Sequence, residues 1–230
     1  MGTLSETRLA RLHDALAAHV SPSGVPGIVA LVSRRDETHV VTLGHQSLEG
    51  DAPMQRDTIF RIASMTKPVT AAAAMILVEQ CKLRLDDSVD ELLPEFANRR
   101  VLKSLESSID DTVPARRPIT LRDLLTFTFG LGAVMVWPPR HPIQKAMQEA
   151  GLAPGPNPTS VPADEFMKRA GSLPLAYQPG ERWLYHTGSD VLGVLIARAS
   201  GQSLGGFMQD HLFGPLGMTD TGFQVPADKV

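Results

Sequence analysis

Arg61-Ile62-Ala63-Ser64-Met65-Thr66-Lys67-Pro68 opens an alanine-rich run, and its reading decides how the rest of the chain is taken. Residues at i and i+3 share a helix face, so a hydroxyl at 64 and an amine at 67 fall within reach of each other. A serine is a poor nucleophile until a neighbouring base accepts its proton, and a lysine can serve once desolvation lowers its pKa. The start of a helix adds a field. Its free N–H groups and positive dipole end favour a developing negative charge, and the Ser64 backbone offers one oxyanion donor. Pro68 is compatible because proline in the first turn removes few intrahelical bonds. Spacing alone decides little. Fifteen serines and six lysines in 230 positions supply about 0.4 such pairs by chance, and a capping serine beside an exposed lysine explains one pair equally well.

Toward the N-terminus, Leu4, Leu9, Leu12, Leu16 and Val20 recur at three- to five-residue intervals, which predicts a surface helix over 4–20 with one buried stripe. Prolines and glycines in 21–27 stop it. Apolar runs at 28–33 and 38–43 flank Arg34-Arg35-Asp36-Glu37 and predict a β-hairpin. Toward the C-terminus the patterns are helical at 66–80, 121–125, 142–150, 162–170, 189–200 and 203–212, with no further alternating β-branched run. The proline-dense stretch 151–162 is expected to be a mobile surface loop. A two-stranded hairpin is marginal by itself in water, so one covering helix leaves the sheet short of strands.

Composition narrows the function classes. The length of 230 residues accommodates one large domain or two small ones. Twenty-two basic against 25 acidic residues, a net charge of −3, provide no field for a phosphate backbone, so nucleic-acid binding is excluded. Hydrophobic content of 43% with 20% charged residues is that of a globular chain. The single cysteine, Cys81, cannot form an internal disulfide, and the amphipathic N-terminus lacks a continuous apolar signal core, which makes the cytoplasm the expected compartment. The strongest apolar run, 69–78, is about half of a membrane span. Histidines at 13, 19, 39, 45, 141, 186 and 211 show no ligand spacing, and no phosphate-cradling glycine loop occurs. Neither metal nor cofactor is expected.

Three further blocks shift the odds on Ser64: Pro118-Ile119-Thr120-Leu121-Arg122-Asp123-Leu124-Leu125-Thr126, then Pro179-Gly180-Glu181-Arg182-Trp183-Leu184-Tyr185-His186-Thr187-Gly188, and Pro215-Leu216-Gly217-Met218. With Phe60-Arg61-Ile62-Ala63-Ser64-Met65-Thr66-Lys67, and in this order over most of 25–223, they resemble the serine β-lactamase-like family, which spans class C β-lactamases, DD-peptidases and family VIII carboxylesterases. The resemblance implies an α+β fold, with the N-terminal helix and hairpin (1–50) belonging to an antiparallel sheet and 51–223 forming a large helical subdomain. Residues 224–230 would begin a connection to C-terminal strands. It implies Ser64 as acyl-forming nucleophile, Lys67 as base or proton carrier, and Tyr185 as the tyrosine of a Tyr-Xaa-Asn motif. A phenol near a lysine has its ionised form favoured and can pass a proton to a leaving group.

Departures from the family pattern shape the expected substrate. Thr187 stands where asparagine is usual, which weakens amide recognition more than ester turnover. It also opens Thr187-Gly188-Ser189-Asp190, a capping pattern. Phe127 and Phe129 replace polar residues of a Thr-His-Thr-Ser-Gly block, and they either line an acyl pocket or pack in the core. Trp183 could border the same cleft. The family's third motif, on a strand that supplies the second oxyanion donor, is absent, and one donor is worth on the order of 10² to 10³ in rate. A C-terminal segment or second chain is therefore expected to complete sheet and site.

Two other constellations compete. Gly201-Gln202-Ser203-Leu204-Gly205 fits a nucleophile elbow, yet a helix precedes it where a strand is needed, so Ser203 is expected to be a helix N-cap. His186 invites a Ser-His-Asp reading, but no carboxylate is evident behind it, and a satisfied or exposed histidine is expected. The sequence thus points to an acyl-enzyme serine hydrolase, foremost a carboxylesterase on small or medium esters with weak β-lactam turnover. The alternatives are an amide hydrolase of the DD-peptidase or aminopeptidase type and a non-catalytic ligand-binding relative.

Overall fold

The computed structural model describes residues 4–155, 159–225 and 229. The expected loop over 151–162 and the connection over 224–230 lie partly outside the described residues. The chain divides into two units, Met1–Arg61 and Ile62–Val230.

In the first unit, α1 (Glu6–Ala17) is followed by β1 (Gly27–Arg34) and β2 (Glu37–Gly44). The strands pair antiparallel from Gly27↔Gly44 to Arg34↔Glu37, and Arg35 takes φ 57° in the two-residue turn. Tight hairpin turns require positive φ because their twist then matches that of the strands. Leu4, Leu9, Leu12, Leu16 and Val20, the stripe read from the sequence, are half-buried rather than buried. α1 has no fully buried residue, because a two-stranded sheet gives it little to cover.

The second unit is helical. α2 (Thr66–Glu79) packs against α6 (Thr187–Ser200), with Ala73, Ala74 and Leu77 meeting a face that includes Val191, Leu195 and Ile196, all at or near zero exposure. Around this pair stand α3 (Leu121–Leu125), α4 (Pro142–Glu149), α5 (Ala163–Ser172) and α7 (Leu204–Met208). α7 is shorter than the 203–212 expected, since Gln209–Phe213 continues as a wider turn closed by Gly214 N–H on the Gln209 carbonyl at 2.9 Å. Two three-residue strands, β3 (Arg100–Leu102) and β4 (Thr112–Pro114), form a hairpin the sequence reading misses. Three residues are too few to display an alternation.

Two buried ionic groups lock the second unit. Arg99, 8% exposed, donates to the carbonyls of Ala170 (3.2 Å), Gly171 and Leu173 at the C-terminal end of α5, and burial lowers its pKa to about 10. It stays charged at neutral pH and fills the role of a cationic C-cap. Asp123, 3% exposed, receives both terminal nitrogens of Arg117 at 2.6 and 2.8 Å and the Thr120 amide and hydroxyl at 2.9 Å. This is the capping box of α3. Among the described residues no helix is long and apolar enough to cross a membrane.

Candidate active site

Ser64 lies in a 3₁₀ turn, Ala63–Met65, that runs directly into α2. Ala63 takes φ 44°, a left-handed conformation uncommon outside glycine, and presents the next residue at the open end of the helix. The Ser64 side chain is exposed, and Lys67 Nζ donates to its Oγ at 3.1 Å. The i,i+3 geometry therefore forms as the sequence predicts.

Tyr185 arrives from 121 residues beyond Ser64, on a segment laid down by two backbone contacts. Leu184 N–H donates to the Phe127 carbonyl at 2.8 Å, and Ala133 N–H donates to the Tyr185 carbonyl at 2.9 Å. Gly132 makes the approach possible, because a Cβ there would stand 2.6 Å from the Leu184 carbonyl oxygen and 2.8 Å from that of Tyr185. Lys67 Nζ sits 4.7 Å from the centre of the Tyr185 ring. The Ser64 hydroxyl, followed by the Lys67 ammonium, holds the Tyr185 phenol below the usual tyrosine range, and desolvation opposes them. A hydroxyl, an amine and a phenol biased toward ionisation thus meet at one helix mouth, a set able to take a proton from Oγ and deliver it elsewhere.

The remaining predicted residues separate into wall and core. Trp183, 59% exposed, stacks on Tyr185 at 5.5 Å with planes 21° apart, and Phe127 lies 5.5 Å from Tyr185 and 6.3 Å from Trp183. Phe127 reaches this place through a backbone at φ 58°. Phe129 does not join them. It has no exposed surface and stacks on Phe96 at 5.9 Å, so the acyl-pocket option is corrected to core packing. Thr187 is 2% exposed and its hydroxyl has no hydrogen-bond partner. It neither caps α6 nor offers a group to a substrate: His186 occupies the N-cap, which places Thr187 in the first turn.

His186 carries a second correction. A carboxylate does stand beside it: Asp190 Oδ2 lies 3.4 Å from Nδ1, one turn along α6, and Nε2 is 3.0 Å from the Gly155 carbonyl. Both ring nitrogens are engaged, so the ring is satisfied as expected, but through a partner the sequence reading overlooked. The i,i+4 spacing of 186 and 190 was the available signal. Ser203 caps α7 by accepting the Gly206 N–H at 3.1 Å, as expected for a cap. Among the described residues no group of three His, Cys, Asp or Glu side chains is placed to hold a metal ion.

A helical body that presents serine, lysine and tyrosine together at the head of one helix is the architecture of the active-site-serine, β-lactamase-like proteins. Comparison with known proteins bears this out: the Beta-lactamase family pattern matches residues 12–230, and the chain belongs to that family. It is 42% identical over 203 residues to Protein Rv1367c of Mycobacterium tuberculosis, covering 88% of this chain and 48% of the relative. It is 35% identical over 198 residues to Esterase EstB of Burkholderia gladioli, covering 86% and 47%. The solved structure of EstCE1, described as a hydrolase with promiscuous acyltransferase activity, superposes with a TM-score of 0.79 at 28% identity, over 96% of this chain and 55% of that one. The chain spans about half the length of the curated relatives it matches.

Proposed function

We propose that this chain carries the acylating centre of a serine carboxylesterase acting on small or medium acyl esters. The observation that carries the reading is the Ser64–Lys67 contact at 3.1 Å with the Tyr185 ring 4.7 Å from the same amine. Ser64 Oγ attacks the ester carbonyl while its proton passes to the Lys67–Tyr185 pair. The carbonyl oxygen takes up negative charge at the helix start, near the Ser64 N–H. Tyr185 returns the proton to the departing alkoxide, and the alcohol leaves. A water molecule then attacks the acyl-serine by the same proton route, releasing the carboxylic acid and regenerating Ser64.

Three observations favour esters. Thr187, at the position of an amide-recognising asparagine, buries its hydroxyl away from any ligand. Trp183 and Phe127 give the wall beside Tyr185 an apolar character suited to an acyl or alkyl group. EstB is named an esterase and EstCE1 a hydrolase. Weak β-lactam turnover remains part of the proposal, since the acylation step is the same. So does a C-terminal segment or second chain that adds strands to β1–β2 and completes the site. Its support is that β1 and β2 pair only with each other among the described residues.

Turnover of a nitrophenyl ester by the full-length protein tests the reading. Ser64→Ala and Lys67→Ala should each lower kcat by at least about a thousandfold with circular dichroism unchanged, because the two side chains act as one unit. Undiminished turnover in Ser64→Ala contradicts it, and tight ligand binding without turnover in the unaltered protein would favour a binding relative instead.

A further inference from the structure

The residue after Tyr185 is held in a backbone conformation that side chains rarely adopt. His186 has φ 89° and ψ −80°, the region of a strained γ-turn, at the point where the tyrosine segment turns into α6. Such a conformation persists only where surrounding contacts over-determine it, and the imidazole supplies them. Nδ1 faces Asp190 Oδ2 at 3.4 Å and Nε2 faces the Gly155 carbonyl at 3.0 Å. Both partners are acceptors. A neutral imidazole carries one N–H, so both contacts are satisfied together only in the doubly protonated ring. The His186 ring also meets the Tyr185 ring edge-on, 6.2 Å between centres.

We propose that His186, clamped as an imidazolium between Asp190 and the Gly155 carbonyl, is a positioning residue that fixes the turn behind Tyr185 and so holds the phenol at Ser64 and Lys67. The inference rests on the acylating role of those three residues. With both nitrogens engaged, His186 has none left to act as base toward Ser64. The charged groups that bear on it are Asp190 on α6 and Lys67 on α2, and the 155 segment contributes a carbonyl. Asp190 raises the His186 pKa most, burial lowers it, the Gly155 carbonyl raises it, and Lys67 lowers it, with a net upward shift. For a raised histidine pKa the clamp is fully present below the ordinary value, about 6.5, and is lost as pH rises through the shifted one.

The rate at which a fluorophosphonate labels Ser64 in the full-length protein, followed against pH, tests this alongside an NMR titration of the His186 ring. Two variants approach the clamp differently: His186→Gly tolerates the positive φ but removes the ring, and Asp190→Asn keeps the ring but removes the carboxylate that holds it charged. Each should slow labelling near pH 6 to 7 by tenfold or more. The wild-type step down at rising pH should move to lower pH in Asp190→Asn, together with the His186 titration. In a Tyr185→Phe background, His186→Gly should cost nothing further, because its effect passes through the phenol. Labelling of His186→Gly at the wild-type rate overturns the proposal, as does an equal slowing with Tyr185 present or absent, which marks a merely structural role. A His186 that titrates at its ordinary value in a protein that is labelled overturns the clamp alone. A wild-type protein that takes no label at Ser64 overturns the acylating reading on which the inference rests.

Discussion

Residue by residue, the site divides according to how local its determinants are. Ser64 and Lys67 were legible because their relation is contained in four residues of one helix start, where spacing fixes proximity. Tyr185 was reached through a family resemblance, since nothing in its own neighbourhood says that its segment, 121 residues beyond Ser64, will pass beside Phe127 and Ala133. Thr187 shows the opposite failure. Its pattern reads as a cap, yet the His186 backbone at φ 89° moves the cap one residue earlier and leaves the Thr187 hydroxyl buried without a partner. Replacing such a hydroxyl by a methyl group removes an uncompensated polar burial. Thr187→Val should therefore leave stability unchanged or raise it by about 1 kcal/mol, read from urea unfolding. A loss of more than about 1 kcal/mol would show that the hydroxyl has a partner after all.

Among the elements, the helices were legible, down to the five residues of α3, and the three-residue strands were not. The helical periodicity of 66–80 and 142–150 survives almost residue for residue in α2 and α4, whereas β3 and β4 are defined by their pairing with each other and by Leu102 N–H on the Leu175 carbonyl, a contact across 73 residues. The 118–126 block carries part of the family resemblance, but its local work is capping. Burial pushes the Asp123 pKa up; Arg117 and Thr120 outweigh it and hold the carboxyl below its usual range. A depressed carboxyl pKa stabilises above the unfolded value, about 3.9, and that contribution is lost as pH falls through the folded value. Asp123→Asn should cost about 1–3 kcal/mol at pH 7, with the gap to wild type closing below about pH 4. A gap independent of pH would contradict the assignment. Arg99→Met should likewise cost about 2–4 kcal/mol in urea unfolding, since it leaves the carbonyls that end α5 without their donor. A loss below about 0.5 kcal/mol would show those carbonyls satisfied by other means.

At the scale of the molecule, the two units differ in how much they bury. The second contains almost the whole hydrophobic core, while among the described residues of the first only Val41 and Met54 are buried apolar residues. Protection from hydrogen exchange follows burial and packing. In the 230-residue chain, amides of α2 and α6 should exchange slowly, and those of β1 and β2 faster by at least about a hundredfold; equal protection would show the hairpin supported by more than its own unit. The reason for the expected difference is that two strands give a covering helix little to bury, and the half-buried stripe of α1 gives this a physical form. The Beta-lactamase family match, over residues 12–230, includes the head of α2 where Ser64 stands. The central claim, that Ser64 is the acylated nucleophile, is tested most directly by intact-mass and peptide-mass analysis of the full-length protein after reaction with a fluorophosphonate. The account predicts one adduct, mapped to Ser64 and absent from Ser64→Ala; an adduct of the same mass that persists in Ser64→Ala would contradict it.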